Sequence, residues 1–512
     1  MMDEPVLMAT ALQMHTLRES KTAAKAYQIN GNFEILTAYT DKRPTLFPFI
    51  VSQVHALTGY RATQGIWLNT LLTPVFLSLL FYAGGVLWNK WGGYMAVVLF
   101  STVPLLAMNM CGSGFELLNM TLLLATALAG YGYLKQSSAD RANLFVMFGL
   151  LLAHTRYESA LYIGAIGLVL CLVWWRQRQI EFSWAVIVAP LLLISLPLRR
   201  IIHSDNALIW QLDAKGVTSP FSIEYVKDNL SHALNYFFAY DLEQANSLLL
   251  SILFAMALVL LGWLLLRRRV RIDTTSPLFC ISSIFGVSVL GSFILLMCYF
   301  WGQVDDVMAT RIILPFILLQ VLLVVWGCSR LPYAHRVAPV FILGVAMYFL
   351  AFSRPLMAQS NFLMPSIQQQ EFKWTFDYVA SRSERPILFI SKSHMAALIQ
   401  RRSALVPDTA IRNKLRIDLH LKLHTFDEIL IVQFVPYSHT DLEINKLLVE
   451  EFERNFETET VVREKINNHG LMRVDRIVGV KMDAPLRARA LAQTQELFQQ
   501  EDDLWDFYQT LP

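Results

Sequence analysis

Between residues 66 and 353 the chain is a succession of apolar stretches, and no soluble fold accommodates so many in a row. They fall at 66–88, 91–110, 116–134, 142–155, 157–175, 183–198, 247–266, 276–300, 311–328 and 336–353. A helix needs about 20 apolar residues to cross a hydrocarbon layer of ~30 Å. Only a structure that bonds its own backbone internally survives there, so these stretches read as membrane-spanning helices. The split within 142–175 rests on His154, Arg156 and Glu158, which would be costly at mid-membrane and are harmless between two shorter helices.

Composition supports this and locates it. Of the residues, 55% are hydrophobic and 16% charged, well below the roughly 25% charged of soluble domains, and the apolar excess ends near Arg354. The net charge, 43 basic against 40 acidic residues, is +3, too small to imply nucleic acid as a partner. Five cysteines (Cys111, Cys171, Cys280, Cys298, Cys328) lie scattered in the apolar part without metal-ligand spacing and read as packing residues.

Short loops fix an orientation. One alternate set carries Lys90, Lys135, Arg141, Arg176, Arg178, Arg267, Arg268, Arg269, Arg271, Arg330 and Arg336; the other set, 111–115, 154–158 and 301–310, carries only Arg156. Basic short loops stay in the cytoplasm, so the second set, the longer loop 199–246 and everything after 353 lie outside. Residues 1–65 must then also be outside, although no apolar segment carries them across. Either this stretch translocates unaided or a first helix precedes Met1; we expect the second.

Within 1–65, the stretches 5–26 and 44–58 are apolar at helical spacing with interspersed charges, as in helices lying on a membrane surface or covering the bundle. Ile223–Tyr240 reads in the same way. After 354 the pattern changes to short apolar strands alternating with helices: a helix at 370–382, PILFIS (386–391), a helix at 394–400, SALVPD (403–408), DEILIVQF (427–434), a helix at 439–455 and a β-rich stretch at 459–480. These imply a small α/β domain over 354–482, and a charged helical tail over 483–512. The expected fold is an α-helical integral membrane protein of about ten transmembrane helices, eleven with one before Met1, followed by an extracytoplasmic α/β domain.

Ionisable groups at a membrane surface are the first candidates for chemistry. Asp3 and Glu4, Lys42 and Arg43, Glu116, Arg156 and Glu158, Asp305 and Asp306 in the loop 301–310, and Arg311 at the start of the next span come from six segments, yet the loop analysis puts all of them at one face. Singly, each is a solvated loop charge or a helix-end anchor. Together they set acids and bases beside an apolar bundle, suiting a lipid-tailed substrate whose phosphate arginine clamps and whose reaction partner offers a hydroxyl to a carboxylate.

Residues 1–60 resemble the polytopic GT-C glycosyltransferases that use polyprenyl-phosphate sugars, in particular relatives of the protein O-mannosyltransferases and of the lipid A aminoarabinose transferase. In those proteins a first helix is followed by an Asp-Glu pair and an interfacial helix, then by a basic residue before a proline-leucine segment. The matching residues here are Asp3-Glu4 in MMDEPVLMATAL and Lys42-Arg43-Pro44-Thr45-Leu46, with Thr45 in place of a second proline. Glu116 in GFELLNM, the run HTRYE (His154–Glu158) and Arg311 in RIILP resemble further family motifs, isoleucine replacing a tyrosine in the last. The resemblance implies transfer at the outer face of the membrane, with Asp3 as the catalytic base. Arg43, Arg156 and Arg311, assisted by Lys42, would neutralise the donor phosphate; Glu4, Glu116 and Glu158 would support them. It implies a polyprenyl-phosphate sugar as donor, a lipid, glycan or protein as acceptor, and a bacterial inner membrane whose periplasmic side carries the site. No metal is required, and a divalent ion between carboxylates stays open.

Two other classes fit parts of the pattern: a transporter or flippase of a lipid-linked substrate, and a surface-polysaccharide ligase or polymerase. A non-catalytic scaffold that presents the α/β domain is a third reading. Transporters commonly carry paired repeats and interrupted helices at the midplane; here no internal repeat is visible and the charges gather at one face. The loop asymmetry makes a direct prediction. A reporter fused after Pro512 should behave as periplasmic, and cytoplasmic reporter activity would mean that a span within 142–175 is miscounted.

Overall fold

A computed structural model describes residues 3–29, 31–202, 219–240, 244–267, 273–306, 309–359, 366–382, 385–437 and 443–489, without the side chains of 199–200, 202 and 443–447. The chain divides into two compact units. One comprises Lys42–Val51 and Thr63–Pro365; the other comprises Met2–Asp41, Ser52–Ala62 and Ser366–Pro512.

The chain starts in the second unit. Helix α1 runs over Asp3–Leu17 and is buried from Val6 to Met14 on every side, so it is an interior helix and not an amphipathic one. Helical spacing over 5–26 does not persist beyond it: Thr22–Ile29 is strand β1 and Asn32–Tyr39 is strand β2, an antiparallel hairpin. The Asn-Gly dipeptide at 30–31 is the cue, because Gly31 takes φ +81°, a conformation that tight hairpin turns demand and side chains resist. Helix α2, Leu46–Thr58, forms as expected from its apolar spacing.

The first unit is the helical bundle. Its elements are α3 (Gln64–Leu87), α4 (Lys90–Ser101), α5 (Pro104–Met110), α6 (Glu116–Lys135), α7 (Ala139–Ala153), α8 (Tyr162–Gln177), α9 (Trp184–Leu193), α10 (Ser195–Ile202), α11 (Val226–Phe238), α12 (Leu248–Leu266), α13 (Pro277–Met297), α14 (Leu314–Ser329), α15 (Ala334–Tyr348) and α16 (Arg354–Met357). Among the described residues, seven helices are long and apolar enough to cross a membrane, and the pair α4–α5, bent by 81°, makes an eighth. The bend falls where Pro104 opens α5, since a residue before proline avoids the helical region. The two further stretches read as spans from sequence, at α7 and at Trp184–Leu198, are 15 residues each, about 22 Å at 1.5 Å per residue and short of a full crossing.

Large apolar side chains such as Leu71, Val259, Val287 and Val340 face outward from the bundle, the reverse of a soluble surface and the normal condition of helices solvated by lipid. Where α3 and α4 meet, Gly84 lies against Gly92 so closely that any Cβ on Gly84 would fall on the Gly92 carbonyl oxygen, the kind of small-residue contact that lets membrane helices pack. Helix α11 buries Asn229, Ala233, Tyr236 and Phe237 and leaves Leu230, Leu234 and Phe238 outside, so one face covers the bundle while the other is apolar and exposed.

In the second unit the remaining elements are α17 (Ile367–Ser381), β3 (Ile387–Ile390), α18 (Met395–Leu398), β4 (Ser403–Leu405), α19 (Pro407–Arg412), α20 (Lys414–Lys422), β5 (Glu428–Pro436), α21 (Glu443–Asn455), β6 (Phe456–Lys465) and β7 (Gly470–Val480). The sequence alternation anticipates all except α19 and α20. The tail read as helical over 484–508 lies mostly outside the described residues. The seven strands form one sheet in the order β2-β1-β4-β3-β5-β7-β6, parallel between β3, β4 and β5 and antiparallel elsewhere. The N-terminal hairpin is therefore part of the C-terminal sheet, where sequence reading had made 1–65 a separate loop region and started the domain at 354. Tyr27 and Ile29 of β1 share one apolar core with Leu388, Ile390, Ile429, Ile431, Phe452 and Ile477, and the Gln28 amide donates to Ser403 Oγ at 2.7 Å.

His420 of α20 sits in that core, edge-on to Tyr27 with centroids 5.4 Å apart. Burial, followed by the positive charges of Lys25 and Arg416, pushes its imidazole down to about 3. The folded state thus holds the ring neutral while the unfolded chain protonates it near 6.5. Its stabilisation is complete above about pH 6.5 and is lost as the pH falls from there toward 3. Protease resistance of the strand-bearing unit should decline across that acid window. His420→Phe, which keeps the aromatic packing, should flatten the decline; an unchanged pH profile in that variant would refute the assignment.

Candidate functional site

Four of the ionisable residues picked out by sequence meet at one end of the bundle. Glu116 opens α6, Arg156 lies in the corner between α7 and α8, Glu158 begins the 3₁₀ turn that leads into α8, and Arg311 lies in the 3₁₀ turn ahead of α14. Glu116 Oε1 is 3.0 Å from Nη1 of Arg311 and 3.4 Å from Nη1 of Arg156. Nε of Arg156 in turn donates to Glu158 Oε2 at 3.2 Å. The Glu116 side chain is 1% exposed and those of Arg156 and Arg311 are 10% and 12%, against 39% for Glu158. The pairs made by Glu116 are thus buried, while the Glu158 contact is half wet and correspondingly weak. The other carboxylate oxygen of Glu116, Oε2, is buried and makes no hydrogen bond among the described residues. The Arg156 guanidinium also lies over the Phe115 ring, 5.1 Å from its centroid, where the face of the ring attracts the charge.

The other six sequence candidates stand elsewhere in the chain. Lys42 and Arg43 lie in the turn before α2, with Lys42 exposed and Arg43 half-buried. Asp3 and Glu4 belong to the second unit and form the first turn of α1. Both acids lie in the first described turn of α1, where the positive end of the helix dipole favours them. Asp305 accepts from or shares a proton with His232, whose Nδ1 is 2.7 Å from its Oδ2. Asp306 Oδ1 accepts from the Ala309 backbone N–H at 3.2 Å, which shapes the turn leading to Arg311.

Three asparagines that sequence reading passed over hold the segments of the cluster in place. Asn69 of α3, fully buried, donates from Nδ2 to the carbonyls of Gly112 and Gly114, both at 2.8 Å, and so fixes the loop that leads into Glu116. Asn229 of α11 does the same for the end of α13, donating to the carbonyls of Met297 and Tyr299 at 2.8 Å each. Asn119 of α6 accepts at Oδ1 from Thr155 Oγ1 at 2.6 Å and from Ser159 Oγ at 2.5 Å, so it ties down both flanks of the corner that holds Arg156. The signal was present, for an amide inside an apolar span at 69 or 119 needs partners from another segment.

Chemically, the cluster is two guanidinium groups on one buried carboxylate. A guanidinium has five N–H donors; Arg156 uses Nε toward Glu158 and Nη1 toward Glu116, which leaves it donors for an anion.

No protein-family model matches the chain, and no curated protein sequence matches it either. Crystal structures similar to it include ArnT from Cupriavidus metallidurans bound to undecaprenyl phosphate, with a TM-score of 0.54 and 12% identity, and ArnT from the same organism in the apo state, with a TM-score of 0.55 and 11% identity. The alignments cover 93% and 92% of this chain and 93% of each ArnT chain. The fold is shared. Both proteins have a polytopic helical bundle and a strand-containing C-terminal region, the architecture expected from the sequence.

Removing the central carboxylate tests the electrostatics. Glu116→Gln removes the buried carboxylate that Arg156 and Arg311 share and should lower stability by about 3–5 kcal/mol. Glu158→Gln, on the wet side, should cost under about 1 kcal/mol. Thermal unfolding of both variants in the same detergent measures the difference; equal losses would show that Glu116 carries no special load.

Proposed function

We propose that the protein is a membrane glycosyltransferase that moves a sugar from a polyprenyl-phosphate donor to a lipid, glycan or protein acceptor. The observation that carries this reading is the convergence of Arg156 and Arg311 on one buried carboxylate at the end of a bundle with the ArnT fold. ArnT itself has been seen with undecaprenyl phosphate, a ligand with a long apolar chain and an anionic head. A lipid-facing bundle with cationic donors at one end suits both parts of such a molecule.

In the proposed reaction a carboxylate takes the proton of the acceptor hydroxyl, and the oxygen attacks the anomeric carbon of the sugar. The bond from that carbon to the phosphate oxygen breaks, and the polyprenyl phosphate leaves with the electron pair. Arg156 and Arg311 neutralise the leaving phosphate, and at a site bordered by low-dielectric surroundings such charge stabilisation is strong. Arg43 and Lys42 are assigned to the same phosphate, and Asp3 to the base, on the strength of the family resemblance. Glu4 supports Asp3, whereas Glu116 and Glu158 hold the arginines. The charge on the phosphate is met by guanidinium groups, so the chemistry is written without a metal. The site and the strand-bearing unit are assigned to the periplasmic side of a bacterial inner membrane, following the loop charges.

The test is transfer by the purified full-length protein in nanodiscs, using undecaprenyl-phosphate sugars as donors, with mass spectrometry of cell-envelope glycolipids to name the product. Arg156→Ala and Arg311→Ala should each reduce transfer about 10²–10³-fold. Lysine at either position should restore part of it, because it lacks the two-pronged geometry. Asp3→Asn should reduce the rate about 10²–10⁴-fold if Asp3 is the base, and transfer should persist in EDTA. Flux of lipid-linked substrate without sugar transfer would replace this reading with a transporter.

A further inference from the structure

The corner that carries Arg156 has no long element of its own. Between the end of α7 at Ala153 and the start of the 3₁₀ turn at Glu158 there are four residues, His154–Tyr157, and they must hold a guanidinium steady against Glu116. A side chain as long as arginine keeps a defined position only if its Cα is fixed; backbone hydrogen bonds such as Thr155 N–H to the Leu152 carbonyl and Ser159 N–H to the Arg156 carbonyl shape the corner, and one atom on α6 ties both its flanks to that helix. Asn119 Oδ1 accepts from the hydroxyl of Thr155 on one flank and of Ser159 on the other, at 2.6 and 2.5 Å. Asn119, Thr155 and Ser159 are all at most 3% exposed, so water does not substitute easily for any of the three. Asn119 also lies three residues after Glu116 on α6, nearly one turn along the same face. The residue that anchors the corner is therefore on the same rigid rod as the carboxylate that Arg156 pairs with.

We propose that Asn119 is a positioning residue: by clamping Thr155 and Ser159 to α6 it sets Arg156 at the distance from Glu116 at which its remaining donors face an incoming phosphate. This rests on the glycosyltransferase reading above for the identity of the anion. The geometry of the clamp itself is independent of that reading. Thr155 and Ser159 contribute through their hydroxyls alone, so their roles are separable from those of Arg156 and Glu158.

Two measurements on the full-length protein in nanodiscs test it. Hydrogen–deuterium exchange reads the mobility of residues 154–159, and titration with undecaprenyl phosphate reads the site. Asn119→Ala should speed exchange in 154–159 and weaken undecaprenyl phosphate binding about tenfold, the scale set by losing one to two buried hydrogen bonds. The pair Thr155→Val with Ser159→Ala, which leaves α6 untouched, should do the same and serves if Asn119→Ala folds poorly. Thr155→Ser keeps the hydroxyl and should bind as wild type. The decisive arm is a cycle with Arg156→Ala. In that background Asn119→Ala should cost no further affinity, because the clamp acts through Arg156, whereas a general structural role would weaken binding equally in both backgrounds. Equal losses in both backgrounds, or unchanged exchange and affinity in Asn119→Ala, overturn the proposal. A wild-type protein that does not bind undecaprenyl phosphate overturns the functional reading and this role with it, even if the exchange result shows the clamp to be real.

Discussion

The carboxylate of Glu116 is the point on which the end of the helical bundle depends. It joins the start of α6, the corner between α7 and α8, and the turn before α14, three segments separated by up to 195 residues in the chain. Loops at the end of a bundle have few contacts of their own, and a buried charge must find compensation or leave. The three segments are thereby obliged to converge, since none of Glu116, Arg156 and Arg311 is tolerable alone where it lies. Asn69 and Asn229 then donate to carbonyls of the adjoining loops, and Asn119 accepts from the Thr155 and Ser159 hydroxyls, so that the neighbouring segments are held as well. The ions decide that the segments meet, and the amides decide how.

A second dependence governs the strand-bearing unit. Its sheet takes two of seven strands from residues 22–39 and the rest from beyond 386. The contacts that close it therefore span the whole length of the bundle in sequence. Tyr27 packs on His420 and Phe426, and β1 covers the edge of β4 that would otherwise be open. Leaving β4 uncovered would expose a short apolar strand, of the kind that sheets protect. The other sheet edge, β6, is protected differently, by Glu457, Glu459, Arg463, Glu464 and Lys465.

Sequence revealed the parts governed by local patterning. Apolar runs of spanning length gave the bundle, and the cost of burying His154, Arg156 and Glu158 placed the break between α7 and α8 at the right residues. Glu116, Arg156, Glu158 and Arg311 were legible as one group because loop charge assigns them a common level. Which ion pairs with which was not legible, since pairing depends on side-chain reach across helices. The hairpin was missed although Arg18-Glu19-Ser20-Lys21 forms a polar break after α1, because apolar residues at helical spacing mask a period of two over a stretch as short as TAAKAYQI. The Asn-Gly at 30–31 was the readable cue. The link between β1 and β4 had no local cue at all, because its partners are some 378 residues apart (Ala26 with Ala404).

The four-ion cluster carries two positive and two negative charges, so it is neutral as it stands. A phosphate entering such a site is not drawn in by a surplus of charge. It competes with carboxylates for donors, and the contest is unequal between them. Glu158 is half-exposed, so water can replace its contact with Arg156 at little cost. Glu116 is buried and holds both arginines, so displacing it would strand a carboxylate away from solvent. The inexpensive exchange is therefore at Glu158, with Glu116 remaining as the fixed spacer between Arg156 and Arg311. A neutral cluster of this kind keeps the arginines ordered without a ligand, which lowers the entropy lost when an anion binds. It also makes binding weaker than two free guanidinium groups would give. For the reaction proposed above, in which the phosphate is released after each turnover, such a site serves better than one that holds the phosphate as tightly as charge allows.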